Sequence, residues 1–303
     1  MDFDKIFNDI NQLDVGDILR NEPLYKHTTF KVGGPASLYV QVKDTASLIK
    51  IINYIKINNI NYFVLGKGSN VLFSDQQFKG IVLSLSKYFT KIEIEETVVR
   101  AQAGVYMIKL AKSVCKNSLK GLEFISGIPG SLGGGVYMNA GAYNLELSEF
   151  IKEVTFLDEG LNIKTLGKEE LAFSYRSSIF QSQENWVVLE VVLQLSKGNK
   201  AEITDLINQR KQRRLETQPC NEPSAGSVFK NPKDKSAWQY IDQCGLRGKM
   251  IGGAQVSLKH PNFIVNNQYA SAKDILDLIE YVRATVYKKY DVLLHTEIKL
   301  INW

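Results

Sequence analysis

Residues Gly127 to Tyr143 read GIPGSLGGGVYMNAGAY, six glycines and one proline in seventeen residues. So bare a stretch in mid-chain is either a run of tight turns or a surface where backbone N–H groups come close to a ligand. A missing Cβ removes both the steric wall and the penalty on positive φ. A second glycine-rich element, Gly66-Lys-Gly-Ser-Asn70, follows the apolar run NYFVLG without a break. Two such elements in one region, with Ser69, Asn70 and Ser131 as further donors, favour a cradle for a dinucleotide pyrophosphate over two ordinary turns. Neither fits a standard template. The third glycine of G-x-G-x-x-G would have to be Val71, and GIPGSLGGG has no Lys-Ser/Thr in the Walker position. The glycines alone do not choose which dinucleotide is held.

The totals narrow the class. A chain of 303 residues, 44% hydrophobic, is long enough for two or three packed domains. Its charge of +5, from 37 basic and 32 acidic residues, is modest, and the one basic run, Arg210-Lys211-Gln212-Arg213-Arg214, falls on a helical pattern as a solvated face. Nucleic-acid binding is therefore not expected, whereas small anionic ligands are. Three widely spaced cysteines and three histidines make neither a disulfide framework nor a structural metal site. The first twenty residues lack the charged-then-apolar order of a signal peptide, and no apolar run reaches membrane-spanning length. The expectation is a reduced cytoplasmic protein with no membrane insertion.

Along the chain, Ser37–Val42 reads as a strand, and Asp44 precedes a helix with Leu48, Ile51, Ile52 and Ile55 at helical spacing. NYFVLG, GIVLSL, KIEIE and TVVRAQAG read as strands, and Val105 to Ser118 as a helix. VTFLDEGLNIKTL is a hairpin turning at Asp158-Glu159-Gly160, and WVVLEVVLQL is a buried strand. The composition turns polar at SKGNKA (Ser196 to Ala201), which sets the main boundary: a first region 1–200, with its core at about 27–195, and a second, 201–303. In the second region, Ser236 and Ser271 open helices through capping boxes, and MIGGAQVS, NFIVN and VLLHTEIKLI read as strands. The class is α+β with mixed sheets.

Three polar residues read two ways. Arg176, in Phe173-Ser-Tyr-Arg-Ser-Ser178, is either a surface residue or a fixed guanidinium that holds a carboxylate or developing negative charge. Ser227, beside Gly226, is either a turn residue or a hydroxyl able to give a proton. Glu297 lies on the polar face of VLLHTEIKLI, opposite Leu294, Thr296, Ile298 and Leu300. It is either solvated or functional, if that face borders a cavity.

LGKGSNVL, GLEFISGIPGSLGGGVYMNAGAY, SYRSS, AGSVFKNP and HTEIKLI follow one another in this order. Together they closely resemble the UDP-N-acetylenolpyruvoylglucosamine reductase family of bacterial peptidoglycan precursor synthesis, from about Tyr25 to Ile301. The resemblance implies a two-lobed FAD-binding domain of the PCMH type, also called vanillyl-alcohol-oxidase-like, with a separate α+β substrate-binding domain. It also explains the failed fingerprints, since this fold holds the FAD pyrophosphate without a Rossmann unit. The implied noncovalent FAD contacts are Gly66, Lys67, Gly68, Ser69, Asn70, Gly127, Ile128, Pro129, Gly130, Ser131, Gly134, Asn139, Gly141 and Ala142. By carry-over, Ser227 is the proton donor, while Arg176 and Glu297 stabilise the enol intermediate. Tyr175, Lys230 and Asn231 become substrate contacts, and Lys259-His260 is either a phosphate contact or a surface pair.

The implied reaction uses NADPH as co-substrate and UDP-N-acetylglucosamine-enolpyruvate as substrate, in a monomer. The segment between the apolar strand and the serine loop is too short for the tyrosine-bearing loop of longer members, which marks the shorter, type II branch. What covers the substrate diphosphate stays open. Two rival readings are a PCMH-type flavin oxidase of another sugar or alcohol and a non-catalytic nucleotide-binding module.

Overall fold

The computed structural model describes every residue from 1 to 303. It contains two compact units that interleave in sequence. The first takes Met1–Asn21, Ser37–Lys67 and Lys79–Lys211; the second takes Glu22–Ala36, Gly68–Phe78 and Gln212–Trp303. The chain thus divides at several places, where the sequence suggested one boundary at 200/201. The cause is pairing between distant segments: strand Val71–Phe73 finds its partner in Lys299–Ile301, and no local hydropathy pattern records such a match. The polar SKGNKA stretch is not a free hinge either, since Ser196–Lys197 pairs with Leu119–Lys120.

In the first unit, helix Phe3–Gln12 starts where the Asp2 carboxylate accepts from the amides of Asp4 and Lys5 and buries Ile6 and Ile10, one turn apart. Helix Thr45–Ile57 is capped by Asp44, whose side chain accepts from the Ser47 amide at 2.7 Å. Its buried stripe is Leu48, Ile51, Ile52 and Ile55, as the spacing predicts. A four-stranded sheet runs in the order Gly16–Pro23, Pro35–Val42, Phe78–Ser84, Tyr62–Leu65, and its last two strands are parallel. A five-stranded antiparallel sheet follows the order Ile163–Gly167, Ile151–Leu157, Val187–Gln194, Val98–Gln102, Ile92–Glu95. Its central strand VVLEVVLQ is buried nearly throughout, which accounts for its continuous apolar run.

The basic run lies on helix Lys200–Thr217, where Ile203 is the buried residue. Lys211 and Arg213 are exposed. Arg210 instead lies 4.7 Å over the Tyr143 ring, and the Tyr143 hydroxyl donates to the Arg210 carbonyl. This end of the run is therefore packed, while the rest is solvated.

The second unit has its own core, from Phe30 and Val32 through Val228 and Phe229 to Ile275, Ile279, Val282 and Val286. Helix Ala272–Tyr290 starts with a Ser271–Asp274 capping box, and helix Ala237–Gln243 with a Ser236–Gln239 box. Strands Met250–Ile251, Ala254–Val256 and Ile264–Asn266 form an antiparallel sheet. The closing strand is shorter than expected. Only Lys299–Ile301 forms a ladder, with a single bridge at Thr296. Leu294 and Ile298 are buried, but Thr296 and Leu300 are only half-buried. The period-two pattern breaks because these residues turn from one partner, Phe229, to another, Val71–Phe73.

The expected hairpin turn is a loop from Asp158 to Asn162, closed by the Asp158 carboxylate, which accepts from the Asn162 amide at 2.8 Å. Its ion pair with Lys164, at 2.7 Å, together with that hydrogen bond, lowers the Asp158 pKa from 3.8 to about 2. A carboxyl depressed by folding contributes stability that is complete above its unfolded value and disappears as pH falls through its folded one. An acid titration followed by circular dichroism should therefore show Asp158→Asn losing stability relative to wild type above pH 4. The gap should close between about pH 4 and pH 2.

Candidate active site

Within the first unit, the two glycine-rich loops meet. A Cβ on Gly66 would sit 2.4 Å from the Ser131 hydroxyl, so only glycine lets the loops touch there. Ser131 is buried; it caps the short helix Leu132–Tyr137 by accepting from the Gly134 amide. Gly127, Ile128 and Pro129 are half-buried and Gly130 is buried, while Gly134 is exposed. Gly66 and Lys67 belong to the first unit; Gly68, Ser69 and Asn70 belong to the second.

Arg176 also lies in the first unit, on a tight turn closed by mutual backbone hydrogen bonds between Ser174 and Ser177. Its φ of +54° is left-handed, a strained conformation for a non-glycine residue. Two neighbours hold that conformation. The Gln181 side chain donates to the Arg176 carbonyl and to that of Tyr137, while the Ser178 hydroxyl donates to Tyr137 as well. Below them, Phe180 packs edge-on against Phe156 at 5.5 Å. The guanidinium Nη2 donates to the Gly141 carbonyl at 3.0 Å, and Nη1 lies 3.5 Å from Glu146 Oε1. Tyr175 is exposed, with the Arg176 guanidinium 4.9 Å over its ring.

Asn139 is fully buried. Its amide nitrogen donates to Glu146 Oε2 and to the Ser174 carbonyl, and its oxygen accepts from the Ser148 amide. The side chain that the family resemblance assigns to the flavin thus joins three stretches of the protein to each other. Gly141 and Ala142 pair with Glu146 and Leu145 in a small hairpin above it.

In the second unit, Ser227, Lys230 and Glu297 come together through backbone hydrogen bonds. The Glu297 N–H donates to the Val228 carbonyl at 2.7 Å, and the Lys230 N–H donates to the His295 carbonyl at 2.9 Å. From the other side, the Asn70 side chain donates to the Glu297 carbonyl at 3.1 Å, and the Lys299 N–H donates to the Asn70 carbonyl. Both peptide groups flanking Glu297 are thereby held. Asn231 is exposed, and its Oδ1 caps helix Ala237–Gln243 by accepting from the Ala237 amide.

Asn262 fixes the serine loop. Its buried side chain accepts from the Phe229 N–H at 3.0 Å and donates to the Phe229 carbonyl at 2.8 Å, as a neighbouring strand would. Its own carbonyl accepts from the Val228 N–H. His260 supports it, with Nδ1 accepting from the Asn262 amide. Burial, with the nearby Arg247 charge, pushes the His260 pKa below its ordinary 6.5, so the ring is neutral at pH 7. Of the Lys259-His260 pair, only the lysine is then a cation, and its Nζ donates to the Leu215 carbonyl.

Sequence reading missed Glu146, Asn262 and Gln181. Glu146 with Glu149 reads only as a local cap, and Asn262 between Pro261 and Phe263 reads as a loop residue. Each acts on a segment far away in the chain, which leaves no periodic signal.

Known proteins match this architecture. Residues 218–301 match the family model described as UDP-N-acetylenolpyruvoylglucosamine reductase, C-terminal domain. Residues 36–166 match an FAD binding domain. UDP-N-acetylenolpyruvoylglucosamine reductase of Bacillus licheniformis is 42% identical over 299 residues, covering 99% of both chains. The protein of Bacillus cereus bearing that name with the number 1 is 44% identical over the same length and coverage. The crystal structure of UDP-N-acetylenolpyruvylglucosamine reductase from Thermus caldophilus superposes with a TM-score of 0.79 at 32% identity, covering 94% of this chain and 98% of that one. A solvent-stable cholesterol oxidase shares the fold over 60% of this chain, at 14% identity and a TM-score of 0.50. No helix is long and apolar enough to cross a membrane.

Replacing Asn262 by alanine would strand the Phe229 N–H and carbonyl in a buried place. The expected loss is about 2–4 kcal/mol of unfolding free energy in a urea titration. Asn262→Asp, which keeps the acceptor but turns a buried carboxylate oxygen toward the Phe229 carbonyl, should lose at least as much as alanine at neutral pH.

Proposed function

The chain belongs to the UDP-N-acetylenolpyruvoylglucosamine reductase family, and from that premise we propose that it reduces the enolpyruvyl group of UDP-N-acetylglucosamine-enolpyruvate to a lactyl ether with NADPH. The product, UDP-N-acetylmuramate, is a precursor of peptidoglycan. The observation that carries the reading is the fastening of Glu297. The first glycine-rich loop, through Asn70, and the serine loop, through Val228, both hydrogen-bond its backbone. Three of the motifs that mark the family, far apart in sequence, thus meet at one residue.

The residues assigned to FAD suit it. The Ser131 hydroxyl takes the space that a side chain at Gly66 would fill, which brings the two glycine-rich loops together as the approach of a pyrophosphate to the backbone needs. Gly66 to Asn70 and Gly127 to Gly134 would hold that group, noncovalently. When bound, FAD would supply the hydride chemistry that links NADPH to the enolpyruvyl group. The protein's own work is then orientation and charge.

Addition at C3 leaves negative charge spread over C2 and the adjoining carboxylate. Arg176, with its permanent charge, is assigned to hold that carboxylate and charge, and Glu297 to polarise the intermediate with it. Ser227 is assigned to give the Oγ proton to C2. A serine hydroxyl is a weak acid in water, but a carbanion-like C2 is a stronger base, and a donor fixed in place needs little acidity. Asn262 keeps the two residues that follow Ser227 in a strand-like conformation. Tyr175 and Lys230 are assigned as substrate contacts. Asn231, whose oxygen accepts from the Ala237 amide at a helix start, is assigned with them.

Anaerobic stopped-flow absorbance separates the two half-reactions. Wild-type protein should bleach at flavin wavelengths with NADPH and recover colour with the enolpyruvyl substrate. Ser227→Ala should leave the bleaching rate within about twofold and slow the recovery by about 10² to 10⁴-fold. Equal losses in both halves would remove Ser227 from the proton step. Failure of the substrate to restore colour in wild type would remove the reaction.

A further inference from the structure

Arg176 stands on a strained backbone and is held at the guanidinium end by two groups, one of which no motif predicts. Glu146 Oε1 lies 3.5 Å from Nη1, and its other oxygen is anchored by the buried Asn139 amide at 2.8 Å. The same Asn139 nitrogen donates to the carbonyl of Ser174, the residue that opens the Arg176 turn. Gly141 supplies a further contact by accepting from Nη2, and its bare α-carbon leaves the space. A Cβ there would lie 2.9 Å from the Glu146 side chain and 3.1 Å from Arg176 Nη1. Asn139, Gly141 and Glu146 therefore form a socket, within one unit, closed around one face of the guanidinium.

From this arrangement we infer that Glu146 is a positioning residue for Arg176, with Asn139 as its anchor. An arginine on a surface turn has four side-chain torsions to restrain. A carboxylate on one edge and a carbonyl on the adjacent nitrogen fix the plane of the guanidinium, leaving its direction set before any anion arrives. The inference rests on the assignment of Arg176 to the substrate's carboxylate. It extends that assignment by saying what aims the arginine and why the sequence carries Asn139, Gly141 and Glu146 so close together. Arg176 and Glu146 are only partly exposed, at 17% and 30% of their side chains. Solvent therefore screens the pair less than it would a surface pair.

The test compares Glu146→Gln, Arg176→Ala and the double variant as holoproteins. If Glu146 aims Arg176, Glu146→Gln should keep flavin reduction by NADPH within about twofold and slow reoxidation by the enolpyruvyl substrate by about 10 to 10²-fold, the size of loss that misplacing a group by about 1 Å causes. The double variant should be no slower than Arg176→Ala alone, because the glutamate acts only through the arginine. Glu146→Asp should recover part of the loss. A purely structural carboxylate would instead slow both half-reactions and add its loss to that of Arg176→Ala.

A second readout needs no turnover. In wild type, the Arg176 Nη protons should give resolved, slowly exchanging NMR signals that identify a held guanidinium, and in Glu146→Gln these should merge. Retention of separate signals in Glu146→Gln, or additive losses in the double variant, overturns the inference. Should Arg176→Ala reoxidise at the wild-type rate, the assignment of Arg176 to the substrate falls, and the Nη signals alone decide whether Glu146 holds it.

Discussion

The parallel pairing of Val71–Phe73 with Lys299–Ile301 is the constraint on which the second unit depends. The ladder is only three residues long, yet Asn70 immediately before it reaches the Glu297 carbonyl because Lys299 is in register with Val71. Slipping a strand by one residue would turn each of its side chains to the opposite face. Trp303 adds a further tie, its indole N–H donating to the Leu72 carbonyl, as does Asn302, whose side chain donates to Ser74 Oγ and to the Gln76 and Gln77 carbonyls. The short ladder is thus pinned from both ends.

Asparagine recurs behind the assigned catalytic groups. Asn70 holds the Glu297 peptide, Asn262 holds the strand after Ser227, and Asn139 holds the carboxylate beside Arg176. The amide suits such a place because it carries donor and acceptor on one short stem and no charge that must be neutralised when buried. A carboxylate in the position of Asn262 would meet the Phe229 carbonyl with repulsion, and a leucine would leave two peptide groups unpaired. Functional precision here depends on neutral groups that saturate backbone partners, with the charges confined to the residues they support.

Local order was legible in the sequence; convergence was not. The helix at 45–57, the capping boxes at Ser236 and Ser271, the hairpin at 151–167 and the buried strand before Gln194 all follow from periodicity and cap chemistry, which act within a few residues. The closing strand was overextended because alternation in LLHTEIKLI looks the same whether one partner or two receives it. The unit boundaries were missed since Glu22–Ala36 and Gly68–Phe78 look like ordinary connections until their partners are known. Of the site, the ordered motifs pointed to Arg176, Ser227 and Glu297 through family resemblance, whereas residue chemistry alone left each with an ordinary alternative. Glu146 and Asn262 carry no local signature, and only coordinates reveal that their partners are a carbonyl, an amide or a guanidinium elsewhere in the chain.

The interleaving of the units bears on how the protein is made. During synthesis, Gly68–Phe78 emerges more than two hundred residues before Lys299–Ile301, so the strand at Val71 must wait on the nascent chain with unpaired N–H and carbonyl groups. Closing so long a loop adds little to the equilibrium cost, because closure entropy grows only with the logarithm of length. It weighs instead on time, since distant contacts slow the search for the native topology. The first unit can gather nearly all of its core while the ribosome is still at work. The glycine loop that adjoins it gains its fixed end only when the last strand arrives. The core of the first unit and the fastening of Glu297 are therefore completed at different moments in the life of one polypeptide.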